Sequence, residues 1–210
     1  MKALKNKKVL ITAGPTREYI DPVRFISNDS SGLMGLSLAD AAKKMGARVT
    51  VVLGPVVVTP PKGIKIINVT SAREMFTAVK KICSSADIIV CAAAVADYTV
   101  ARPARHKIKK GRSILTLKLV KTPDILSWLG KNRRKRQTLV GFALETSDLI
   151  ANARKKLHTK KCDLIVANSH RAIASKKTSV ILVGPGRRLK RIGPASKNTI
   201  ARAIFSAILS

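Results

Sequence analysis

The chain has 210 residues, 46% of them hydrophobic, which suits a single domain with a sizeable core. No apolar run approaches the ~20 residues of a membrane-spanning helix, and only 3% of residues are aromatic, which argues against a platform for stacked bases. Lys and Arg number 41 against 11 acids, a formal charge of +30 that attracts nucleic acid, anionic membranes or phosphorylated small molecules and that equally describes a solvated basic surface. The basic residues fall in short clusters along the whole chain, such as KIKKGR (107–112), KNRRKR (131–136), KKLHTKK (155–161) and RRLKR (187–191). Against that background each retained acid is expected to have a task.

In chain order, MKALKNKK precedes the apolar VLITAG, superficially like a signal peptide. The apolar part is shorter than the usual ~7–15 residues and runs into Gly-Pro, so residues 7–14 read as a first buried strand of a cytoplasmic protein. From Gly32, LMGLSLADAAKKMGA reads as a helix, with Leu33, Leu36, Ala39 and Met45 near helical spacing and Gly46 ending it. RVTVVLG (48–54) and IKIINV (64–69) are strands. Ser71 and Glu74 form a capping box for a helix reaching about Ser84. ADIIVCAAA (86–94) has no polar side after Asp87, as expected of a parallel strand covered on both faces. This alternation predicts an α/β, Rossmann-like, doubly wound and mostly parallel sheet with helices on both faces.

The second half is less regular. Residues 97–112 read as a polar loop, and SILTLKLV (113–120) alternates like a strand with one wet face. TPDILSWLG (122–130) starts a helix with Thr122 as cap and Pro123 in its first position. TLVGFA (138–143) is a strand, 147–161 a helix, CDLIVAN (162–168) a strand. SVILV (179–183) and RLKRI (188–192) form a C-terminal hairpin across Gly184 and Gly186, and 196–209 is a last helix capped by Ser196. No repeat or linker divides residues 1–210. Cys83, Cys91 and Cys162 lie in apolar contexts and read as buried thiols; His106, His158 and His170 lack metal-ligand spacing.

In an open parallel sheet ligands bind beyond the carboxyl ends of the strands, so TAGPTRE, AAAVADY and GFALET should meet in one crevice. A nicotinamide-dependent oxidoreductase is a weak alternative. No G-x-G-x-x-G follows the first strand, the second ends in LGPV without an acid, and Arg102 stands where a Tyr98-x-x-x-Lys pair would need lysine. FISNDSSGLMG (25–35) supplies Ser27, Asn28, Ser30 and Ser31 ahead of a helix whose free N–H groups favour an anion. A plain cap needs one hydroxyl; the surplus points to Gly14, Ser30, Ser31 and Gly32 as a phosphate site. HKIKKG (106–111) has the character of a lid that closes lysines over a polyphosphate, or of a solvated charge run. Asp97, at a strand end, could hold Mg²⁺ beside phosphates or be an ordinary turn acid.

Together, TAGPTREYIDPVRFISNDSSGLMG, CAAAVADY, KIKK, LVKTPDIL, VGFALET and DLIVAN resemble, in order and spacing, the bacterial form of phosphopantothenate–cysteine ligase, the phosphopantothenoylcysteine synthetase of coenzyme A biosynthesis. The resemblance covers residues 7–209 and, with no decarboxylase domain upstream, implies a stand-alone form. It implies that 4′-phosphopantothenate is activated by a nucleoside triphosphate, CTP in preference to ATP, with Mg²⁺ assisting. L-cysteine then completes the amide, in a homodimer. By position Asn28 holds the activated acyl group and Lys107 is the catalytic, nucleotide-contacting lid lysine. Asp97 lies by nucleotide and metal. Cys91, Ala92, Ala93, Pro123, Asp124, Ile125, Leu126, Phe142, Lys156 and Lys160 correspond to nucleotide-binding positions. Lys156 and Lys160, four apart, share a helix face where an anion between them would offset their repulsion. Leu33, where a basic or polar residue commonly follows Ser-Gly, and SHRAIASKKTSVILV depart from the pattern. The alternative that the charge keeps open is a basic nucleic-acid-binding protein.

Overall fold

The computed structural model describes residues 3–111, 113–145, 147–169 and 177–209. In chain order its elements are β1 (Lys8–Ala13), β2 (Arg17–Tyr19), β3 (Phe25–Ser27), α1 (Leu33–Lys44), β4 (Arg48–Leu53), β5 (Lys65–Asn68) and α2 (Ala72–Ile82). Then come β6 (Ile88–Cys91), β7 (Tyr98–Val100), β8 (Leu119–Lys121), α3 (Ile125–Asn132), β9 (Thr138–Glu145), α4 (Leu149–Thr159), β10 (Leu164–Ser169), β11 (Lys177–Val183), β12 (Leu189–Ser196) and α5 (Lys197–Leu209).

An 8-stranded sheet runs β12-β11-β10-β9-β6-β1-β4-β5. From β10 to β5 every pairing is parallel; β11 and β12 add an antiparallel hairpin at one edge. The apolar strand runs are apolar because both faces are covered. Val9, Ile11 and Ala13 of β1 pack towards α1 and α5, with Phe205 and Ile204 of α5 fully buried there. Leu10 points the other way, into a core shared with Met75 and Val79 of α2, Leu129 of α3 and Leu157 of α4. The chain is thus the expected Rossmann-like α/β sheet with helices on both faces.

Local signals hold where neighbours in sequence decide. Ser71 Oγ accepts the Glu74 N–H at 3.2 Å, and the Glu74 carboxylate reaches back to the Thr70 N–H at 2.9 Å. Ser196 Oγ accepts the Thr199 N–H at 3.2 Å at the start of α5. Retained acids tie distant backbone: Glu18 accepts the Ala72 N–H at 2.8 Å, Asp87 the Lys8 N–H at 2.7 Å and Asp163 the Leu139 N–H at 2.7 Å.

Three expectations are corrected. SILTLKLV is not a strand over 113–120: only Leu119–Lys121 is extended, paired antiparallel with Tyr98–Val100 in a two-stranded arm off the main sheet. Its Leu115 is 55% exposed, so the alternation finds no core to face. The same arm places β7 inside the stretch read as loop. The helix read from Thr122 starts at Ile125, because Asp124 caps it by accepting the Ser127 N–H at 2.8 Å, while the Thr122 hydroxyl donates to the Ala96 carbonyl at 2.6 Å. The stretch before α1 also contains a hairpin, β2–β3, steadied by an edge-on Tyr19–Phe25 contact and Arg17 over the Phe25 ring, 4.6 Å from its centroid. Residues 170–176 of the departure at SHRAIASKKTSVILV lie outside the described residues.

Candidate functional site

From β1 the chain winds outward through β4 and β5, and from β6 it winds the other way through β9 and β10, so the order reverses between β1 and β6. A crevice opens beyond the carboxyl ends of strands at such a point. A cavity of about 550 Å³ sits there. Thr12 of β1, Cys91 of β6 and Phe142 of β9 line its floor; Ala93, Val95, Asp97 and Tyr98 come from the segment after β6. Lys121 to Leu126 form one wall, and Lys156 of α4 and Lys160, the residue that follows the helix, another.

Of the expected nucleotide contacts, Cys91, Ala93, Asp97, Pro123, Asp124, Ile125, Leu126, Phe142, Lys156 and Lys160 share this cavity. Ala92 does not line it; its N–H donates to the Thr12 carbonyl at 3.1 Å and its methyl packs on the α1 side. The cavity also uses Thr12, Val95, Tyr98, Lys121 and Thr122, which the sequence did not single out. Lys121 and Thr122 lie within LVKTPDIL, and Thr12 opens TAGPTRE, so the motifs held them without marking their direction.

The lysine pair shares one face as spaced, and the chain supplies a counter-charge itself: the Lys160 ammonium donates to the Asp124 carboxylate. Burial raises the Asp124 pKa, but the Lys160 hydrogen bond, the Ser127 N–H and the Lys160 and Lys156 charges outweigh it and hold the carboxyl below its ordinary value. Asp124 is therefore committed to α3 and α4. Asp97 differs: its carboxylate is exposed at the cavity and has no partner among the described residues, while its carbonyl accepts the Thr122 N–H at 2.9 Å. One free carboxylate fits an Mg²⁺ held chiefly by a substrate's phosphates. Among the described residues no group of three or more His, Cys, Asp and Glu could hold a metal by itself. Burial pushes the Cys91 and Cys162 thiols up to about 12, so both are neutral near neutral pH.

Beside the cavity, Gly14 and Gly32 meet. Both have positive φ, 78° and 73°, and a Cβ on Gly32 would lie 3.2 Å from the Gly14 Cα and 2.6 Å from Val56 Cγ1. No side chain caps α1; the Ser30 hydroxyl only accepts the Gly32 N–H at 3.4 Å, and Ser31 is exposed. Plain capping therefore does not account for the serines. The Ser27 hydroxyl donates to the Thr16 carbonyl at 2.7 Å. Asn28 Nδ2 donates to the Ala94 and Val95 carbonyls at 3.2 and 3.1 Å, which turns its oxygen away from that loop. Asn28 is thereby tied to the segment that lines the cavity, and the loops after β1 and β6 are joined by the Ala94 N–H donating to the Gly14 carbonyl at 2.9 Å.

Lys107 is exposed and does not line the cavity. The residue after it is anchored: the Ile108 N–H donates to Asp21 at 3.1 Å, and Arg24 donates to the Ile108 carbonyl at 2.6 Å. Asp21 is buried; burial pushes its carboxyl up, yet the Val23, Ile108 and Arg24 N–H donors and the Arg24 charge bring it below the usual carboxylate value.

Comparison with known proteins follows the same outline. The family model described as DNA/pantothenate metabolism flavoprotein C-terminal domain matches residues 4–210. The coenzyme A biosynthesis bifunctional protein CoaBC of Bacillus subtilis (strain 168) is 51% identical over 170 residues, covering 80% of this chain and 42% of that protein. The protein of the same name from Borreliella burgdorferi is 41% identical over 207 residues, covering 98% and 53%. A protein named cysteine/cysteine sulfinic acid decarboxylase, from an unknown prokaryotic organism, is 44% identical over 214 residues, covering 100% and 60%. The chain spans about half the length of the curated relatives it matches. The solved C-terminal domain of a CoaBC protein superposes with a TM-score of 0.86 at 36% identity, covering 100% of this chain and 97% of that one. A DNA/pantothenate metabolism flavoprotein from Streptococcus pneumoniae gives a TM-score of 0.84 at 25% identity, covering 96% and 98%. Matched from residue 4 to its end by one domain model, and sharing its fold with a solved C-terminal domain over its whole length, the chain belongs to the DNA/pantothenate metabolism flavoprotein C-terminal domain family.

Proposed function

We propose that the chain is a phosphopantothenate–cysteine ligase of coenzyme A biosynthesis, acting in the cytoplasm as a homodimer. The observation that carries this reading is the cavity at the β1–β6 reversal, whose lining combines Lys121, Lys156 and Lys160 with the free Asp97 carboxylate and the apolar Leu126 and Phe142. Cations and one carboxylate suit a metal-bound triphosphate, and apolar side chains suit a base. Exposed apolar side chains on and beside the β7–β8 arm, Tyr98, Ile114, Leu115, Leu119 and Val120, support pairing of two copies there.

In the first step a carboxylate oxygen of 4′-phosphopantothenate attacks the α-phosphorus of the nucleoside triphosphate. The bond to the leaving oxygen breaks, and pyrophosphate departs. In the second, the cysteine amine attacks the acyl carbon of the mixed anhydride, the nucleoside monophosphate leaves and the amine loses a proton. Lys107 reaches in from its loop to neutralise charge in the first step. Mg²⁺ at Asp97 would shield the phosphates. Asn28, whose NH₂ group is held by the Ala94 and Val95 carbonyls and whose uncharged oxygen faces away from them, accepts a hydrogen bond from the acyl intermediate without repelling phosphate. The uncapped start of α1, with Gly14, Ser30, Ser31 and Gly32, takes the phosphate of phosphopantothenate. CTP is the favoured nucleotide and ATP the alternative.

The test is pyrophosphate release with 4′-phosphopantothenate and each nucleotide in turn, with and without cysteine. Release that needs phosphopantothenate, with amide formed only when cysteine is added, supports the reading; no release with any nucleotide overturns it. Asn28→Asp is expected to leave the first step measurable and to impair amide formation. Lys107→Gln is expected to slow the first step itself; an unchanged rate removes Lys107 from that role.

A further inference from the structure

The turn between β2 and β3 and the segment carrying Lys107 are far apart in sequence but bound side to side. The Ala104 N–H donates to the Ile20 carbonyl at 2.8 Å. Ile108, 87 residues from Asp21, donates its N–H to Asp21 Oδ2. Arg24, 84 residues away, donates to the Ile108 carbonyl. Asp21 and Arg24 are themselves paired, with Nε 3.3 Å from Oδ2. One acid–base pair therefore holds both backbone groups of the residue next to Lys107.

Turn stabilisation does not account for this arrangement. The Asp21 Oδ1 atom alone satisfies the turn, accepting the Val23 and Arg24 N–H groups at 2.9 Å each. The second oxygen is spent on Ile108 and on the Arg24 side chain that grips it. Asp21 is 1% exposed, in a chain with 11 acids against 41 cations, and its side chain reaches no solvent. The hairpin it turns continues directly into Asn28, whose amide is fixed on Ala94 and Val95. The same short ribbon thus sets the acyl-binding amide at one end and the root of the lysine loop at the other.

We propose that Asp21 is a positioning residue that, with Arg24, anchors the loop at Ile108 and so sets the reach of Lys107 into the crevice. The proposal rests on the role given to Lys107 above. Misplacing a reacting group by an ångström costs up to about 100-fold in rate, so loss of the anchor acts on turnover more than on nucleotide binding, which the cavity lysines keep.

The test compares wild type, Asp21→Asn, Lys107→Gln and the double variant, measured by pyrophosphate release with phosphopantothenate and nucleotide. The asparagine keeps an acceptor for the turn and presents an NH₂ group where the Ile108 N–H needs an oxygen. Asp21→Asn is expected to lower kcat about tenfold with KM for nucleotide nearly unchanged. In the Lys107→Gln background it should cost less than about twofold more, because both changes remove one function. Arg24→Lys, which keeps the charge and loses the fork, should reproduce the effect if Asp21→Asn does not fold. A second readout is trypsin cleavage after Lys107, Lys109 and Lys110, identified by mass of the fragments, which the unanchored loop should undergo faster at unchanged melting temperature.

Wild-type kcat in a folded Asp21→Asn, or its full loss repeated in the Lys107→Gln background, overturns the positioning role and leaves the ligase reading standing. Normal turnover of Lys107→Gln overturns the role of both residues. If the wild type releases no pyrophosphate the ligase reading itself fails, and unchanged cleavage in Asp21→Asn then also removes the anchor.

Discussion

Gly35→Ala sets two known energies against each other inside α1. In a helix interior alanine is favoured over glycine by ~1 kcal/mol, so propensity alone predicts a more stable protein. The space predicts otherwise. A Cβ on Gly35 would lie 2.4 Å from the Ala13 Cβ and 3.0 Å from the Ala13 Cα. Carbon atoms rest at about 3.5–4.0 Å, so α1 would have to retreat from β1 by about 1 Å. The obstacle is β1 at the middle of the sheet, not the tip of a flexible side chain. Overpacking of this kind costs up to ~3 kcal/mol, and the net loss is about 2 kcal/mol. For a domain of this size that lowers Tm by about 4–8 °C, read by circular dichroism and checked by urea unfolding. The retreat would also carry Gly32 away from Gly14, so on the function proposed above KM for phosphopantothenate should rise while KM for nucleotide holds. A variant with Tm equal to or above wild type would show that the helix shifts freely and that the close approach of α1 to β1 has no energetic weight.

Two further outcomes are expected. Gln137 is 4% exposed; its Nε2 donates to the Cys83 and Ala86 carbonyls at 2.6 and 2.7 Å and its Oε1 accepts the Arg134 N–H at 2.8 Å. Gln137→Leu takes the acceptor from the Arg134 N–H and leaves the Cys83 and Ala86 carbonyls with only the Ala86 N–H and Arg134 Nη2 as donors, which should cost ~1–3 kcal/mol in urea unfolding, whereas a loss under ~0.5 kcal/mol would mean that water replaces the amide. The Asp124 carboxyl is held below its ordinary value in the fold, so its contribution to stability is complete above the unfolded-state pKa and disappears as pH falls through the folded one. The stability difference between wild type and Asp124→Asn should thus be constant above about pH 5 and shrink below it; a difference unchanged to about pH 2 would exclude the ion pair as its source.

Much of the frame is legible from neighbours in sequence. A residue's partners at spacings of two, three and four are known before the chain folds. The strand–helix alternation, the capping box at Ser71, the edge hairpin across Gly184 and Gly186 and the Ser196 cap all follow from such spacings. The quoted motifs likewise mark most of the cavity wall. Their limits are physical as well. SILTLKLV has the period of a strand, but period does not supply a partner, and only its end finds one in β7. Thr122-Pro123 is a fair helix start by local rules, yet Asp124 takes the cap and Thr122 turns to Ala96.

Spacing along the chain is enough to specify the type of layer and the chemistry gathered at the strand ends. Which charges are free to meet a ligand depends on packing between distant segments. Asp124 and Asp97 look alike as acids near strand ends, but Asp124 is taken by Lys160 and its own helix, and Asp97 is left open. Lys107 reads the same with or without an anchor, and its anchor is an acid 87 residues from Ile108, beside it. Bonds of that span form only once the sheet has closed and brought both segments to one edge of the crevice, so no local pattern carries them.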